Sequence, residues 1–394
     1  MAKYIFVTGG VVSSIGKGVT ASAMAQLLKS AGLKVFMQKF DPYINVDASH
    51  ISPFEHGEIF ITEDGAMTDL DLGHYERFID ENLNRHSSVT MGRIYQAVIN
   101  KERNDEYQGT TVQVIPHITN QIKKKLLDVA KYTNADVVIT EIGGTVGDIE
   151  STPFLEAIRQ ARIDFGYENT VFIHNTLIPY LKAANEIKTK PTQHSVNALR
   201  SLGIIPDVLV LRSERKIDEG LRAKLALYCD VHQEAIFESL DVSIIYEIIV
   251  NLHHQGIDSY LLKRLDFKSS SNDIAPWKEL IRRIRLIKDE ITIAIMGQYV
   301  SINDAYLSII ESLKHAGYEC GVKIRIKWLD HSVQDMASIK AELTGVSGII
   351  IAGERHDVKV LGMLLLIQYA RLNDIPFFGL SLGMELALLE YAMH

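Results

Sequence analysis

Apolar runs of strand length alternate with helical patterns along most of this chain, and no other feature of the sequence restricts its fold as strongly. The series begins with a strand in YIFVTG, a helix in VTASAMAQLLKSAG and a strand in KVFMQKF, and ADVVITEIGG, NTVFIHNT and PDVLVLRS are further buried-strand candidates. This alternation predicts an α/β fold with a mostly parallel sheet and helices on both faces. Ligands of such sheets bind at the carboxyl ends of the strands.

The alternation is interrupted once, near Asp266. A polar, Ser-rich stretch and a basic helix follow, and residues 267–290 are predicted to be a linker. A second alternating series then runs from ITIAIMGQYV to IPFFGL and is short for a complete domain. We therefore predict a first domain over residues 1–266 and a smaller, incomplete α/β domain over residues 291–394.

Composition excludes several classes of protein. The 394 residues are 47% hydrophobic and 23% charged, as in globular chains, and a net charge of −8 predicts no nucleic-acid partner. Cys229 and Cys320 have no metal-ligand spacing and indicate a reducing compartment. The sequence has no signal peptide and no run long enough to cross a membrane, so we expect a cytoplasmic protein without a membrane partner.

The segment GGVVSSIGKGVTAS follows the first strand and opens the first helix, which is typical of a phosphate-binding loop. Backbone N–H groups would face the anion and Lys17 would neutralise it. The P-loop consensus is not met, because five residues separate Gly10 from Gly16 and Gly18 replaces the Ser or Thr that would bind magnesium. Any metal ligands must therefore come from elsewhere, and the alternative is a glycine-rich turn with a surface lysine.

Two acidic stretches could supply those ligands. Asp69 and Asp71 lie two apart, and Glu141 ends a buried strand before a glycine-rich turn that carries Asp148 and Glu150. A few carboxylates, completed by phosphate oxygens and water, suit Mg²⁺. Taken singly, each is as well explained as a helix cap or a solvated charge.

Basic residues follow other strand candidates. Lys39 ends the second strand, and the turn NEIKTKPTQHS carries Lys188, Lys190 and Gln193, a set that suits a polyphosphate and a base or sugar edge. A solvated basic loop is the alternative for that turn. His56, taken alone, is better explained as a structural residue than as a catalytic one.

Several long segments together resemble the CTP synthase family. They are YIFVTGGVVSSIGKG, KFDPYINVDASHISPFEHGEIFITEDGAMTDLDLGHYERF, GTTVQVIPHITNQIK, EIGGTVGDIESTPFLEAIRQ and KTKPTQHSVNALRSLGIIPDVLVLRSER. The resemblance extends over residues 1–266 and identifies them as an amidoligase (synthetase) domain with a P-loop-like sheet. It implies a ligase of pyrimidine biosynthesis, in which ATP phosphorylates the 4-oxygen of UTP and ammonia displaces the phosphate to give CTP.

The resemblance also implies roles for individual residues. Lys17, Lys39 and His56 would be catalytic, with His56 where ammonia arrives, and Asp71 and Glu141 would bind Mg²⁺. ATP would contact Ser14, Ile15, Gly16, Lys17, Gly18, Val19, Asp71, Asp241 and Val242. UTP, or CTP as feedback inhibitor, would contact Ser13, Asp148, Ile149, Glu150, Lys188, Thr189, Lys190, Pro191, Thr192, Gln193 and Lys224.

The second half resembles the family's class I glutamine amidotransferase domain, but with departures. Ser381 replaces the family's cysteine nucleophile, and the segment from Ala352 to His356 replaces its glycine-rich oxyanion loop. The sequence ends at His394, before the place of the family's catalytic His and Glu. Ser381 also lies in a G-x-S-x-G motif, the pattern of a serine-hydrolase elbow, whose acid and histidine should likewise follow at some distance, so we expect neither chemistry to have its base.

These features predict a CTP synthase that uses free ammonia and has no glutaminase activity. The alternatives are a catalytically silent paralogue acting as a regulatory or assembly subunit, and an independent serine hydrolase. The resemblance further implies a homotetramer that can assemble into filaments, in which Gln113 would serve the UTP of a neighbouring chain.

Overall fold

The structure is a computed structural model that describes residues 2–268, 272–330, 335–353 and 360–393. The chain divides into two compact units. The N-terminal unit comprises Met1–His50 and Phe60–Ile281, and the C-terminal unit comprises Ile51–Ile59 and Arg282–His394. A nine-residue segment from the first half of the sequence therefore belongs to the C-terminal unit.

Strands β1 to β15 span, in chain order, Lys3–Gly9, Val35–Asp41, Phe60–Ile61, Met67–Thr68, Ser88–Thr90, Val137–Ile142, Thr170–Leu177, Tyr180–Leu181, Glu186–Ile187, Val208–Ser213, Ile236–Leu240, Glu290–Gly297, Lys323–Asp330, Gly348–Gly353 and Phe377–Ser381. Helices α1 to α15 span Lys17–Ser30, Pro53–His56, Asp71–Ile79, Met91–Arg103, Thr119–Thr133, Thr152–Phe165, Lys190–Ser201, Glu219–Cys229, Glu247–His254, Ile257–Arg264, Ala275–Leu286, Leu307–Cys320, Met336–Glu342, Val360–Leu372 and Leu382–Met393.

The N-terminal unit is built on a seven-stranded sheet in the order β11-β10-β7-β1-β6-β2-β5, and every neighbouring pair is parallel. Successive residues of β1 alternate between two cores: Ile5 and Val7 pack with α1 and α3, whereas Tyr4 and Phe6 pack with α5 and α6. Both faces of the sheet are covered, which explains why its strands read as continuous apolar runs. The predicted mostly parallel sheet with flanking helices is confirmed.

The C-terminal unit contains a smaller parallel sheet in the order β13-β12-β14-β15. Its core combines Met296 and Ile351 from the sheet with Met363, Leu366 and Leu386 from α14 and α15. The predicted smaller α/β domain is thus present in the described residues.

The segment Ile51–Ile59 contacts other parts of the C-terminal unit through side chains. The Phe54 ring lies edge-on to that of Tyr299, with 5.2 Å between centroids, and Glu58 accepts hydrogen bonds from the backbone N–H and the hydroxyl of Ser308. The short helix α2 is therefore held by both apolar and charge-assisted contacts.

The stretch predicted as a linker contains the helix α11. Its Trp277 and Leu280 pack on the core of the N-terminal unit, and the Trp277 ring lies 5.4 Å from that of Tyr246. Residues 269–271 lie outside the described residues. In the described part of the chain, no helix is long and apolar enough to cross a membrane.

Candidate functional site

The loop between β1 and α1 has an unusual backbone. Val11, Ser14 and Gly16 have positive φ angles of 79°, 56° and 83°. A β-branched residue such as Val11 is strained in this conformation, and such strain is concentrated at ligand sites. Helix α1 then begins at Lys17 with no side-chain cap and no acidic residue in its first turn. Its first N–H groups and its positive dipole end are therefore available to an anion.

Lys39, at the end of β2, is buried in a cluster of carboxylates. Its Nζ lies 3.2 Å from Asp41 Oδ1 and 3.1 Å from Asp69 Oδ1, and it also contacts Asp71 Oδ2. Burial alone would lower the pKa of Lys39, but the carboxylates of Asp41, Asp69, Asp71 and Glu141 outweigh it and hold that pKa well above its usual value. Lys39 is therefore a permanent cation in this cluster.

Glu141, at the end of β6, is at the same level of the sheet as Lys39 and accepts a hydrogen bond from the Tyr75 hydroxyl of α3. A Cβ added to Gly18 would lie 3.0 Å from Glu141 Oε2 and 3.7 Å from Asp71 Oδ1, so both carboxylates face the first turn of α1. Burial, reinforced by repulsion from Asp71, raises the pKa of Glu141. Two carboxylates are thus held close together next to the phosphate loop.

Lys17 lies over the same edge of the sheet. It donates a hydrogen bond to the carbonyl oxygen of Gly144, and a Cβ on Gly9 would lie 2.5 Å from its Cδ, so the chain can place Lys17 here only because Gly9 has no side chain. Burial lowers the pKa of Lys17, and Lys39 lowers it further. A phosphate beside the two lysines would relieve their mutual repulsion.

The donor set fits Mg²⁺, a cation that prefers oxygen ligands and usually keeps several waters. Asp71 and Glu141 provide two carboxylate donors, and Asp41 adds a third donor atom, its buried Oδ2, which has no hydrogen-bond partner among the described residues. Burial raises the pKa of Asp41 to about 7. No group of three or more His, Cys, Asp or Glu side chains in the described ranges has a metal-binding arrangement. A cation held here would therefore have carboxylate ligands from the protein and take its remaining ligands from phosphate and water.

The turn before α7 borders a cavity of about 1010 Å³ at the same carboxyl edge of the sheet. The cavity is lined by Lys188, Thr189, Lys190, Pro191 and Lys224 of the predicted set, whereas the side chain of Thr192 is buried and Gln193 donates to the Thr189 hydroxyl at 3.1 Å. This part of the structure brings together predicted cations from two separate stretches of the sequence, the turn before α7 and Lys224 of α8.

Arg215 and Lys216 also line that cavity and were missed by sequence reasoning. The Arg215 guanidinium lies 3.6 Å from the centroid of the Tyr180 ring. Both residues come just after β10. Since ligands of such sheets bind at the carboxyl ends of the strands, their position after a buried strand could have marked them as ligand contacts.

Arg212, at the end of β10, was missed as well. Its guanidinium pairs with Asp241 at 2.6 Å, and its Nη1 would lie 3.1 Å from a Cβ on Gly16. Asp241, a predicted ATP contact, is thus joined to the phosphate loop through Arg212.

Other predicted nucleotide contacts are exposed. Ser13 and Ser14 lie on the phosphate loop, and Asp148, Ile149 and Glu150 follow β6, where Asp148 accepts a hydrogen bond from Thr145 N at 3.1 Å. Gln113 is exposed and precedes α5, and its N–H donates to His117 Nδ1 at 3.0 Å. His56 ends α2, in the C-terminal unit.

A second cavity, of about 720 Å³, lies at the amino ends of β7, β10 and β11 and contains none of the predicted residues. Its buried Asp207 is already paired with Arg162 and Arg264. We therefore place the candidate site at the carboxyl edge of the sheet.

In the C-terminal unit, Ser381 ends β15 with a positive φ of 50°, and α15 starts at the next residue. Gly379 and Gly383 permit this tight turn: a Cβ on Gly383 would lie 2.3 Å from the carbonyl oxygen of Ile351, and one on Gly379 would lie 2.5 Å from the backbone of Gly383. The backbone is that of a nucleophile elbow.

The elbow has no catalytic partners among the described residues. The Ser381 side chain is exposed and makes no hydrogen bond there, and the carboxylate of Glu390 is buried in a two-bond pair with Arg371, at 2.9 and 2.7 Å. The predicted changes at Glu354, Arg355 and His356, and the terminal His394, lie outside the described residues.

Comparisons with known proteins match two successive parts of the chain to two family models. A family model described as the CTP synthase N-terminus matches residues 3–267, and one described as class-I glutamine amidotransferase matches residues 301–394. The CTP synthase of Onion yellows phytoplasma is 57% identical over 391 residues, which cover 99% of this chain and 72% of the relative. Those of Bacillus velezensis and Pelotomaculum thermopropionicum are 53% and 56% identical over 392 residues, or 100% of this chain and 73% of each relative.

Matches of this identity along the whole chain, together with the arrangement of the phosphate loop, the lysines and the carboxylates, show that the chain belongs to the CTP synthase family.

Proposed function

We propose that this chain converts UTP to CTP with ATP and free ammonia, and that its C-terminal unit does not hydrolyse glutamine. One observation carries the proposal. At the carboxyl edge of the large sheet, the phosphate loop, Lys17 and Lys39 lie beside the paired carboxylates of Asp71 and Glu141. Cations and carboxylates in this arrangement suit the transfer of a phosphoryl group.

In the first half-reaction, the 4-oxygen of the uracil ring attacks the γ-phosphorus of ATP. A bond forms between that oxygen and phosphorus, the bond from phosphorus to the bridging oxygen breaks, ADP leaves, and the uracil ring loses its N3 proton to solvent. The phosphate loop and Lys17 hold the ATP phosphates, and Lys39, whose high pKa keeps it cationic, neutralises negative charge on the transferred group. Asp71 and Glu141 would hold Mg²⁺, which supplies charge neutralisation at phosphate oxygens when bound.

In the second half-reaction, ammonia attacks C4 of the phosphorylated ring. A C4–N bond forms, the C4–O bond breaks, phosphate departs with that oxygen, and nitrogen loses a proton to give the amino group of CTP. Phosphorylation is needed because the oxygen alone is a poor leaving group. In this proposal His56 lies on the route of the incoming ammonia.

The cavity next to the Lys188–Gln193 turn is the proposed place of UTP and of CTP as feedback inhibitor. Lys188, Lys190 and Lys224 provide positive charge for the triphosphate, and Arg215 adds to it. Ser13 and the segment Asp148–Glu150 complete the proposed contacts. ATP would extend from Ser14–Val19 toward Asp241 and Val242, which supports a role for Arg212 in positioning Asp241.

The absence of glutaminase chemistry is proposed from the elbow. A serine hydroxyl has a far higher pKa than a cysteine thiol and needs a base to become a nucleophile. Within the described residues, Ser381 makes no hydrogen bond and Glu390 is held by Arg371. The elbow retains its shape because its glycines and apolar residues pack against β14.

The test supplies purified protein with ATP, UTP and Mg²⁺ and then either ammonium or glutamine. We expect CTP with ammonium and none above background with glutamine. Failure to form CTP with ammonium would overturn the synthetase assignment, and CTP formed equally well with glutamine would overturn the assignment of the C-terminal unit. A Ser381→Cys variant, assayed in parallel, shows whether the nucleophile alone is missing; we expect it to stay inactive with glutamine.

We further propose that the chain forms a homotetramer, which can extend into filaments, with Gln113 contributing to the UTP site of a neighbouring chain. The family resemblance and the exposed surroundings of Gln113 support this assembly. Light scattering with UTP and ATP present is expected to give the mass of a tetramer, and a monomer at assay concentrations would contradict it.

A further inference from the structure

Helix α7 joins the proposed UTP site to the interior of the N-terminal unit. Its first turn carries Lys190 and Gln193, and its inner face packs on β7. Along β7 the buried side chains change from apolar Val171, Phe172 and Ile173 to polar His174, Asn175 and Thr176 as the strand approaches the phosphate loop. Buried polar groups cost free energy unless they are paired, so this change calls for a physical explanation.

His174 is fully buried and hydrogen-bonded at both ring nitrogens. Nδ1 lies 2.9 Å from the hydroxyl of Thr8 on β1, and Nε2 lies 2.8 Å from the hydroxyl of Ser195 on α7. Because the Thr8 hydroxyl also contacts the carbonyl oxygen of Ile173, at 3.2 Å, the network assigns the ring proton to Nδ1 and leaves Nε2 to accept from Ser195. Burial, reinforced by Lys17, lowers the pKa of His174 to about 3, so the ring is neutral at physiological pH.

Ser195 also contacts the phosphate loop directly. A Cβ on Gly10 would lie 1.6 Å from Ser195 Oγ and 3.3 Å from His174 Cε1, so the loop backbone rests against the serine hydroxyl. The N–H of Gly10 donates to the carbonyl oxygen of Asn175 at 3.1 Å. Any shift of α7 toward or away from β7 must therefore displace Gly10 or break the hydrogen bond to His174.

We propose that His174 and Ser195 are positioning residues that couple the ATP loop to the UTP helix, so that each nucleotide favours binding of the other. This inference rests on the proposed function for the identity of the two nucleotides. The pair holds the first turn of α7 in one position relative to Gly10. A ligand that orders the loop then also orders the helix that carries Lys190 and Gln193. Coupling between two sites is reciprocal, so UTP has the same effect on ATP.

The test measures UTP affinity by calorimetry, with and without the imido analogue of ATP, which is not cleaved. For the unaltered chain we expect the analogue to tighten UTP binding by about fivefold or more. The Ser195→Ala variant removes the hydrogen bond to His174 with little change of volume. For this variant we expect the ratio of UTP affinities with and without the analogue to fall to near one. Ser201→Ala is the matched control, because Ser201 lies on the same helix and its exposed hydroxyl, among the described residues, donates only to the carbonyl oxygen of Ala198.

A double-mutant cycle separates coupling from stability. His174→Leu and Ser195→Ala are each expected to remove the coupling, and the double variant is expected to lose no more than either single one. His174→Gln, which retains a donor and an acceptor, is expected to recover part of it. Coupling that persists in Ser195→Ala, or its absence in the unaltered chain, would overturn the inference. Because affinity is measured without turnover, a failure to make CTP would count against the proposed function alone.

Discussion

The two ends of the chain contain glycine-rich turns between a strand and a helix, but they differ in what surrounds them. Around the turn that follows β1, Lys17, Lys39, Asp71 and Glu141 are held by contacts with one another and with the backbone. Around the turn that follows β15, the exposed Ser381 has no hydrogen-bond partner in the described residues. A tight turn alone does not make a catalytic site, because charged partners must also be brought to it.

Removing the central cation of the N-terminal site is expected to have the largest effect. Lys39→Met should reduce ammonia-dependent CTP formation by about 10³-fold or more, because the transferred phosphoryl group loses a buried positive charge beside it. The same substitution leaves three carboxylates without their cationic partner. Initial rates with ammonium measure the effect. Lys314→Met, at an exposed ion pair, is the control and should be unaffected. A Lys39→Met enzyme that is folded and active within tenfold of the parent would contradict the assignment.

The next effect concerns the proposed magnesium ligands. Glu141→Gln should lower the rate by about 10²-fold and raise the Mg²⁺ concentration needed for half of the remaining rate, because one carboxylate is lost. Rates across a magnesium titration test this. Glu156→Gln removes a carboxylate whose hydrogen bonds, among the described residues, are with Arg159 and Gln160 of α6, and it should leave the titration unchanged. An unchanged magnesium dependence in Glu141→Gln would place the metal elsewhere.

For the elbow, we expect a structural effect without a catalytic one. Gly383→Ala places a Cβ against the carbonyl oxygen of Ile351 and should destabilise the C-terminal unit by about 1–3 kcal/mol. Gly353→Ala is the control, because its Cβ would find its nearest neighbours at 3.5 Å. Denaturant unfolding of both variants gives the comparison. Equal unfolding free energies for the two variants would show that the elbow can accommodate a Cβ at Gly383.

A pH effect is expected from Asp41. Because burial raises its pKa from 3.8 to about 7, the protonated form is favoured in the folded state, and its contribution to stability is present below pH 3.8 and lost as pH rises to about 7. Asp41→Asn should therefore lose less unfolding free energy than the parent between pH 5 and pH 8. Chemical denaturation at the two pH values measures the difference. A larger loss in the variant would reverse the predicted sign.

The smallest effect is expected at Ser381. Ser381→Ala should change the ammonia-dependent rate by less than about twofold, since the hydroxyl is exposed and has no hydrogen-bond partner among the described residues. A large loss of that rate would show that the elbow takes part in the chemistry.

Part of this site follows from the sequence alone. Lys39 and Glu141 end apolar strands, and the carboxyl ends of parallel strands meet at one edge, so their proximity needed only the fold class. The contact of Tyr75 with Glu141, and that of Arg212 with the phosphate loop, could not be predicted. They depend on the strand order and on how α3 and β10 are placed, which no local pattern encodes.

The domain organisation shows a similar limit. An amphipathic pattern in α11 indicates a helix, but only tertiary packing shows that Trp277 contacts the N-terminal unit. Nothing in the sequence around His56 indicates that residues 51–59 pack with the C-terminal unit, because Phe54 and Glu58 find their partners some 250 residues later. The boundaries at residues 266 and 290 stay a prediction.

The most direct test of the difference between the two units follows the nitrogen. Purified chain is incubated with ATP, UTP, Mg²⁺, ¹⁵N-ammonium and unlabelled glutamine, and the amino nitrogen of the product is read by mass spectrometry. We predict CTP whose amino group carries ¹⁵N at the enrichment of the ammonium supplied. CTP that contains unlabelled nitrogen beyond that enrichment would contradict the account, because the nitrogen would then have come from glutamine.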